Sequence, residues 1–192
     1  MEKTESGEAL QYLTFLLAGG EYAIRILQAR EIIEYEVVTR VPQMPAWIRG
    51  VINLRGTVVP VVDLGTRFAL GGRECSKITC IVIAEVVSAG ECLPVGFIVD
   101  SVSEVVEFTA ADIEPVPSFG TQISPEYLSG MGKRGKELVL ILDIEKVLTA
   151  PDLTVLDALR EAVAESQAEG ASEVNLSAAP GGEAAQPGTV EG

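Results

Sequence analysis

Trp47-Ile-Arg-Gly-Val-Ile-Asn-Leu-Arg-Gly-Thr-Val-Val-Pro-Val-Val-Asp-Leu64 is the stretch whose reading decides the fold. Pro45 to Arg49 reads as one helical turn, with Pro at its first position and Gly50 as its stop. Val51 to Leu54 is a short strand. Arg55-Gly56 is a tight turn, because glycine accepts a positive φ that other residues resist. Thr57 to Val62 is almost wholly apolar and suits a strand buried on both faces. Asp63 offers an N-cap to a helix over Leu64 to Leu70. Pro60 breaks the pattern, since it cannot donate to a ladder, so a bulge or sharp bend is expected there.

Outward from this stretch, short apolar runs alternate with turn residues. Tyr12–Leu17 and Glu21–Leu27 form a hairpin about Ala18-Gly19-Gly20, and Ala29–Tyr35 is open between strand and helical turn. Ile78–Val87 and Cys92–Val99 form a second hairpin. Val102–Phe108 and Glu137–Leu142 are further strands. Thr109–Thr121 reads as a loop, Ser124-Pro125 opens a helical turn, and Asp143 caps a helix to Leu148.

These elements repeat. Pro45-Ala-Trp-Ile-Arg-Gly50 answers Pro125-Glu-Tyr-Leu-Ser-Gly130 at a spacing of 80 residues. Arg55-Gly56 answers Arg134-Gly135 if one residue is deleted. Tyr22–Tyr35 answers Val95–Phe108 at a spacing of 73. Two copies of one plan, each too small to bury a large core alone, suit two small β-barrels packed together through an apolar interface.

Composition narrows the function. The chain has 192 residues, of which 47% are hydrophobic and only 5% aromatic, so Val, Ile and Leu must build the core. The formal charge of −14 lies largely in the tails. Phosphate backbones repel such a chain. Between Arg25 and Arg73 lie seven Arg, no Lys and four acids, whereas Glu74 to Glu126 holds nine acids and one Lys. Two solvated faces of opposite sign account for this; so do two interaction surfaces.

Catalysis needs a placed acid, base or nucleophile, and the sequence has no His. It has no phosphate loop and no dinucleotide fingerprint. The acids Glu31/Glu34 and Glu104/Glu107 flank apolar pairs, and Asp63 and Asp143 read as helix caps. Cys75, Cys80 and Cys92 have neither disulfide nor zinc spacing. We therefore expect a non-enzymatic binding module with no cofactor and no metal. With a polar N-terminus and no run of about 20 apolar residues, a cytoplasmic location is expected. Arg55 is the leading contact candidate, equally readable as a structural partner of Glu31 or Asp63. Trp47 is expected as a core anchor of the first barrel.

Several segments together resemble the CheW family of chemotaxis coupling proteins. They are Ile48-Arg-Gly-Val51, Asn53-Leu-Arg-Gly56, Val59-Pro-Val-Val-Asp-Leu64, Glu21-Tyr-Ala-Ile24, Glu31-Ile32, Val38-Thr-Arg40, Glu126-Tyr-Leu-Ser-Gly130 and Leu140 to Lys146. The resemblance spans roughly residues 10–150. It implies an all-β fold with a few short helices: two pseudo-symmetric, five-stranded SH3-like β-barrels packed together. It also implies an adaptor without activity of its own, coupling the cytoplasmic tips of chemoreceptors to the regulatory domain of the histidine kinase CheA in receptor arrays at the membrane. Carried over by position, Ala29, Glu31, Arg55 and Val58 would meet the receptor. Tyr35, Val37, Thr39, Arg40 and Gly50 would meet the kinase. Ala29 is smaller than the family's usual residue, and Ile33 and Glu34 replace more polar or smaller ones. The alternative is a small β-barrel binding a peptide or a single-stranded nucleic acid.

Residues 1–9 read as a disordered tail, 10–150 as the paired-barrel domain and 151–169 as an amphipathic helix, through Leu153, Leu156, Leu159 and Val163. Residues 170–192 read as a disordered acidic tail.

Overall fold

A computed structural model describes residues 7–71 and 74–174, the side chains of 171–174 excepted. Eleven strands and three α-helices, with three single-turn 3-10 helices, are defined among them. The strands are β1 (Leu10–Leu17), β2 (Gly20–Arg25), β3 (Ala29–Glu34), β4 (Ile48–Leu54), β5 (Thr57–Asp63) and β6 (Cys80–Ser88), then β7 (Glu91–Val99), β8 (Ser101–Phe108), β9 (Ile113–Glu114), β10 (Leu128–Arg134) and β11 (Glu137–Leu142). The helices are α1 (Leu64–Arg67), α2 (Ile144–Val147) and α3 (Ala150–Val174).

The protein is mostly β, in two sheets. One has the order β8-β1-β2-β11-β10-β9 and the other β3-β6-β7-β5-β4. Each sheet draws on both copies of the repeat, so the two copies exchange hairpins rather than folding side by side. The first hairpin, β1–β2, joins the late strands, and the second hairpin, β6–β7, joins the early ones. Two short parallel ladders make the exchange. Ile141 pairs with Ala23 between β11 and β2, and Val61 pairs with Gly96 between β5 and β7.

The repeat itself holds, down to register. In each β4–β5-type hairpin the ladder slips at the same place: between Ile48 and Gly50 in one copy, between Leu128 and Gly130 in the other. Asp63 N–H donates to Trp47 O at 2.8 Å, and Asp143 N–H donates to Tyr127 O at 2.8 Å. Leu54 pairs with Thr57, and Arg134 with Glu137. The correspondence therefore needs no deleted residue: Gly135, not Arg134, stands where Arg55 stands.

Both sheets must curl. In the five-stranded sheet β3 lies at one edge, and Thr39 bridges to Val51 of β4 at the other. The chain from Glu34 to Thr39 reaches at most about 17 Å. A flat sheet would need five strand spacings, about 24 Å. The path from Phe108 to Ile113 imposes the same limit on the six-stranded sheet, from β8 at one edge to β9 at the other.

Packing follows from the curl. A central cluster between the sheets holds Phe15, Tyr22, Val62, Leu64, Phe97, Leu142 and Ile144, among others. Val59, Val61, Ile81, Ile83 and Ile98 fill the far face of the five-stranded sheet. Tyr12, Val106, Phe108 and Ile141 fill that of the six-stranded sheet. Trp47 is half-buried against the central cluster rather than anchoring one barrel, and the Arg67 guanidinium lies 4.7 Å from its ring centroid.

Three further expectations are corrected. Pro60 lies in regular register opposite Val51. Val51 exchanges both its backbone hydrogen bonds with Thr39, at 2.9 Å each, so its N–H and C=O point away from β5 and Pro60 is asked for no donor. Pro60 also precedes the parallel ladder to β7, which starts at Val61. Gly50 stops no helix: Pro45 to Trp47 makes only a turn, and Gly50 sits inside β4. Asp143 occupies an N-cap position, but its side chain makes no cap hydrogen bond, whereas that of Asp63 accepts from Thr66 N–H at 3.1 Å.

The C-terminal helix is longer than expected and runs through residues 170–174. It docks: Leu153, Leu156 and Leu159 are buried in the central cluster. Thr149 and Asp152 cap each other reciprocally. Residues 1–6 and 175–192, expected to be disordered, lie outside the described residues.

Candidate partner-binding surface

The β4–β5 turn ends the hairpin at one end of the five-stranded sheet. Arg55 (φ 50°) and Gly56 (φ 86°) both lie in the left-handed region, as a type I′ turn demands. From this tip Arg55 reaches across to Glu31 on edge strand β3. Its Nη1 donates to Oε1 at 2.9 Å, and its Nη2 pairs with Oε2. The pair thus spans opposite edges of the curled sheet. Arg55 nonetheless keeps 73% of its side chain exposed. It is at once a structural Arg and a surface one, and its partner is Glu31 rather than Asp63.

The neighbourhood is a shallow groove of about 270 Å³ lined by Arg30, Glu31, Leu54, Arg55, Val59 and Ile83, among others. Arg30 pairs with Glu85 at 2.8 Å on its flank. Charged rims over an apolar floor are the anatomy of a protein contact. Neither Arg30 nor Leu54 was singled out from the sequence. The Arg-rich, Lys-free segment was the available signal for Arg30. Leu54 reads in sequence as one more apolar strand residue.

The hydrogen bond from Arg55 is the main cause holding the Glu31 carboxyl below the usual glutamate range, with some opposition from desolvation. Because the folded-state value is depressed, the pair's contribution is complete above the unfolded-state value. It is lost as pH falls through the folded one. We expect the Glu31 carboxyl carbon to titrate below ordinary glutamates by NMR, and Arg55→Ala to return it to their range. Titration at the ordinary value in both proteins would refute the pairing.

Ala29 and Val58 are not brought to this groove. Val58 is 5% exposed in the central cluster, and Ala29 packs on the same cluster. Strand alternation puts Val59, not Val58, on the groove side, and a register slip between Ala29 and Glu31 separates those two.

The second group of candidates forms a different patch. Val37 is 92% exposed and Arg40 is exposed, flanking Thr39. Gly50 is buried directly beneath Thr39, where a Cβ would meet that residue's backbone. Tyr35 packs on the far-face cluster. Burial raises the pKa of its hydroxyl, a hydrogen bond with Cys75 acts in the same direction, and Arg49 opposes them. Arg49 is held by Asp63 at 3.7 Å and Cys75 Sγ at 3.8 Å. Tyr35 is therefore fixed from below, and the exposed parts of this patch are Val37, Thr39 and Arg40.

At the corresponding end of the six-stranded sheet, Arg134 contacts Glu104 at 2.5 Å, Glu137 at 2.9 Å and Glu21 at 3.3 Å. Glu104 corresponds to Glu31, so this pair too links an edge strand, β8, to the tip of a hairpin across the curled sheet, here β10–β11. There one guanidinium meets three carboxylates and is only 33% exposed. Among the described residues no group of His, Cys, Asp or Glu has the arrangement of a metal site.

Comparison with known proteins fits this architecture. Residues 11–152 match the family model of the CheW-like domain. The chain is 39% identical over 147 residues to the chemotaxis protein CheW of Klebsiella aerogenes, an alignment covering 77% of this chain and 86% of that protein. It is 34% identical over 144 residues to the chemotaxis protein CheW of Bacillus subtilis, covering 75% and 88%. The crystal structure of the scaffolding protein TtCheW from Thermoanaerobacter tengcongensis superposes with a TM-score of 0.67 at 31% identity, covering 78% of this chain and 94% of that one.

Proposed function

Because this chain belongs to the CheW-like family, we propose that it is a non-catalytic adaptor of chemotaxis signalling that couples chemoreceptors to the histidine kinase CheA. Each curled sheet is then one SH3-like barrel, and the two barrels form a rigid block with contact surfaces at separate places. No helix among the described residues is long and apolar enough to cross a membrane. The block is held at the cytoplasmic face of receptor arrays by its partners.

The observation that carries this reading is the exposed Arg55–Glu31 pair over an apolar groove floor. An exposed ion pair contributes little to stability. Its value at this position lies in presenting a planar, fixed guanidinium to a receptor helix tip. The receptor-facing set is Glu31 and Arg55, with Ala29 and Val58 acting from beneath as packing. The kinase-facing set is Val37, Thr39 and Arg40, with Tyr35 and Gly50 shaping the backbone they stand on.

Arg55→Glu places two acids face to face and should abolish receptor capture in a pull-down. Far-UV circular dichroism and capture of the kinase regulatory domain should stay unchanged. Undiminished receptor capture by the folded variant would overturn the assignment.

A further inference from the structure

Asn53 sits two residues before Arg55 with an exposed side chain that serves two elements at once. Its Oδ1 accepts from Gly56 N–H at 2.8 Å, closing the turn from within. Its Nδ2 donates to Gln167 Oε1 at 3.4 Å, so the far part of α3 reaches the same turn. That part of the helix is otherwise exposed from Ala164 to Gly170 and lies beyond the family-matched residues, which end at 152.

The other copy of the repeat is built differently. Lys133 occupies the position of Asn53 and pairs outward with Glu114 at 2.5 Å. Its turn carries Gly135, where no side chain has to be aimed. Arg55 is the one of the two corresponding residues that both bears a side chain and holds a left-handed backbone. That conformation is strained in a non-glycine residue, so local bonds must hold it.

We propose that Asn53 is a positioning residue for Arg55, and that Gln167 ties α3 to the same turn, so the C-terminal helix supports the receptor-facing surface. This rests on the reading that Arg55 meets the receptor. Asn53 is outside the kinase-facing patch, so the two contacts can be separated.

The test uses full-length Asn53→Ala, Asn53→Asp and Gln167→Ala, with Arg55→Glu as reference. Calorimetry measures binding to a soluble cytoplasmic fragment of a chemoreceptor and to the kinase regulatory domain. Amide exchange reports on Gly56 without any partner. Loss of one neutral hydrogen bond predicts receptor affinity about three- to tenfold weaker in Asn53→Ala, with kinase binding unchanged and faster exchange at Gly56. Asn53→Asp keeps the acceptor, so it should restore Gly56 protection and most of the affinity. Gln167→Ala should weaken receptor binding about twofold, in line with a long, exposed bond. If Arg55→Glu loses the receptor while Asn53→Ala binds at full strength, the positioning role is wrong and the adaptor reading stands. If Arg55→Glu retains the receptor, the adaptor assignment of Arg55 fails instead. Unchanged Gly56 exchange in Asn53→Ala overturns the positioning role in either case.

Discussion

Gly50→Ala should destabilise the protein by about 3 kcal/mol or more, the combined effect of backbone strain and a contact that cannot relax. Gly50 has φ 142°, a region that side chains rarely enter, and a Cβ there would lie 2.0 Å from Thr39 O. That oxygen is backbone and accepts from Val51 N–H at 2.9 Å, so retreat means losing the bridge that holds Thr39 against β4. Gly130, at the corresponding ladder slip, supplies the control. Its φ is not in the positive region, and a Cβ there would meet Ile113 Cγ2, a side-chain atom, at 2.7 Å. Gly130→Ala should therefore cost less than Gly50→Ala. Urea midpoints measure both. Equal midpoints, or a Gly50→Ala protein within about 0.5 kcal/mol of the parent, would refute the account. The variant that does fold should bind the kinase regulatory domain more weakly, since Thr39 and Arg40 stand on that bridge.

The repeat was legible because spacing is a property of the sequence alone. Gly50 and Gly130, and Val61 and Ile141, stand eighty residues apart and occupy matching ladder positions, and Asp63 and Asp143, at the same spacing, make matching backbone hydrogen bonds. What spacing does not encode is which copy a hairpin joins. Tyr22–Ile24 and Val95–Phe97 are both without charge or polar side chains apart from the tyrosine hydroxyl, and either could lie beside β5 or β11. The choice rests on parallel ladders of two or three residue pairs, Leu140–Tyr22 to Ile141–Ala23 and Val61–Gly96 to Asp63–Ile98. Gly96 is closely fitted in its place, since a Cβ there would lie 2.8 Å from Ile81 Cγ2 of β6 and 3.4 Å from Val61 Cγ2 of β5. The candidate site was legible in Glu31 and Arg55, where two charges flank apolar strands. Ala29 and Val58 were placed by position in a family pattern, and strand alternation turned both inward. Arg134 misled for a related reason. It matched Arg55 by letter, whereas the ladder aligns it with Leu54.

Leu156→Ala should destabilise the fold by about 2–5 kcal/mol, the range for emptying a leucine site in a packed core. Leu156 is 0% exposed, and it shares the central cluster with Phe15 and Tyr22 of one sheet and Val62 and Phe97 of the other. Its helix is therefore part of the core, packed against β5 and β6 of the five-stranded sheet, not an appendage. Two other contacts hold it there. Arg67 Nη2 pairs with Asp152 at 2.6 Å, and Arg67 Nε donates to Val147 O at 3.1 Å, so α1, α2 and the start of α3 share one guanidinium. Asp152 at the same time accepts from Thr149 N–H at 2.9 Å, which fixes where the helix begins. Val155, the residue just before it, is 38% exposed, so Val155→Ala should cost well under 1 kcal/mol. The pair separates docking from helix propensity, because alanine favours the helix at both positions. A Leu156→Ala protein that unfolds at the same urea concentration as Val155→Ala would mean that α3 does not seal the cluster, and the coupling of its far end to the Arg55 turn would lose its anchor.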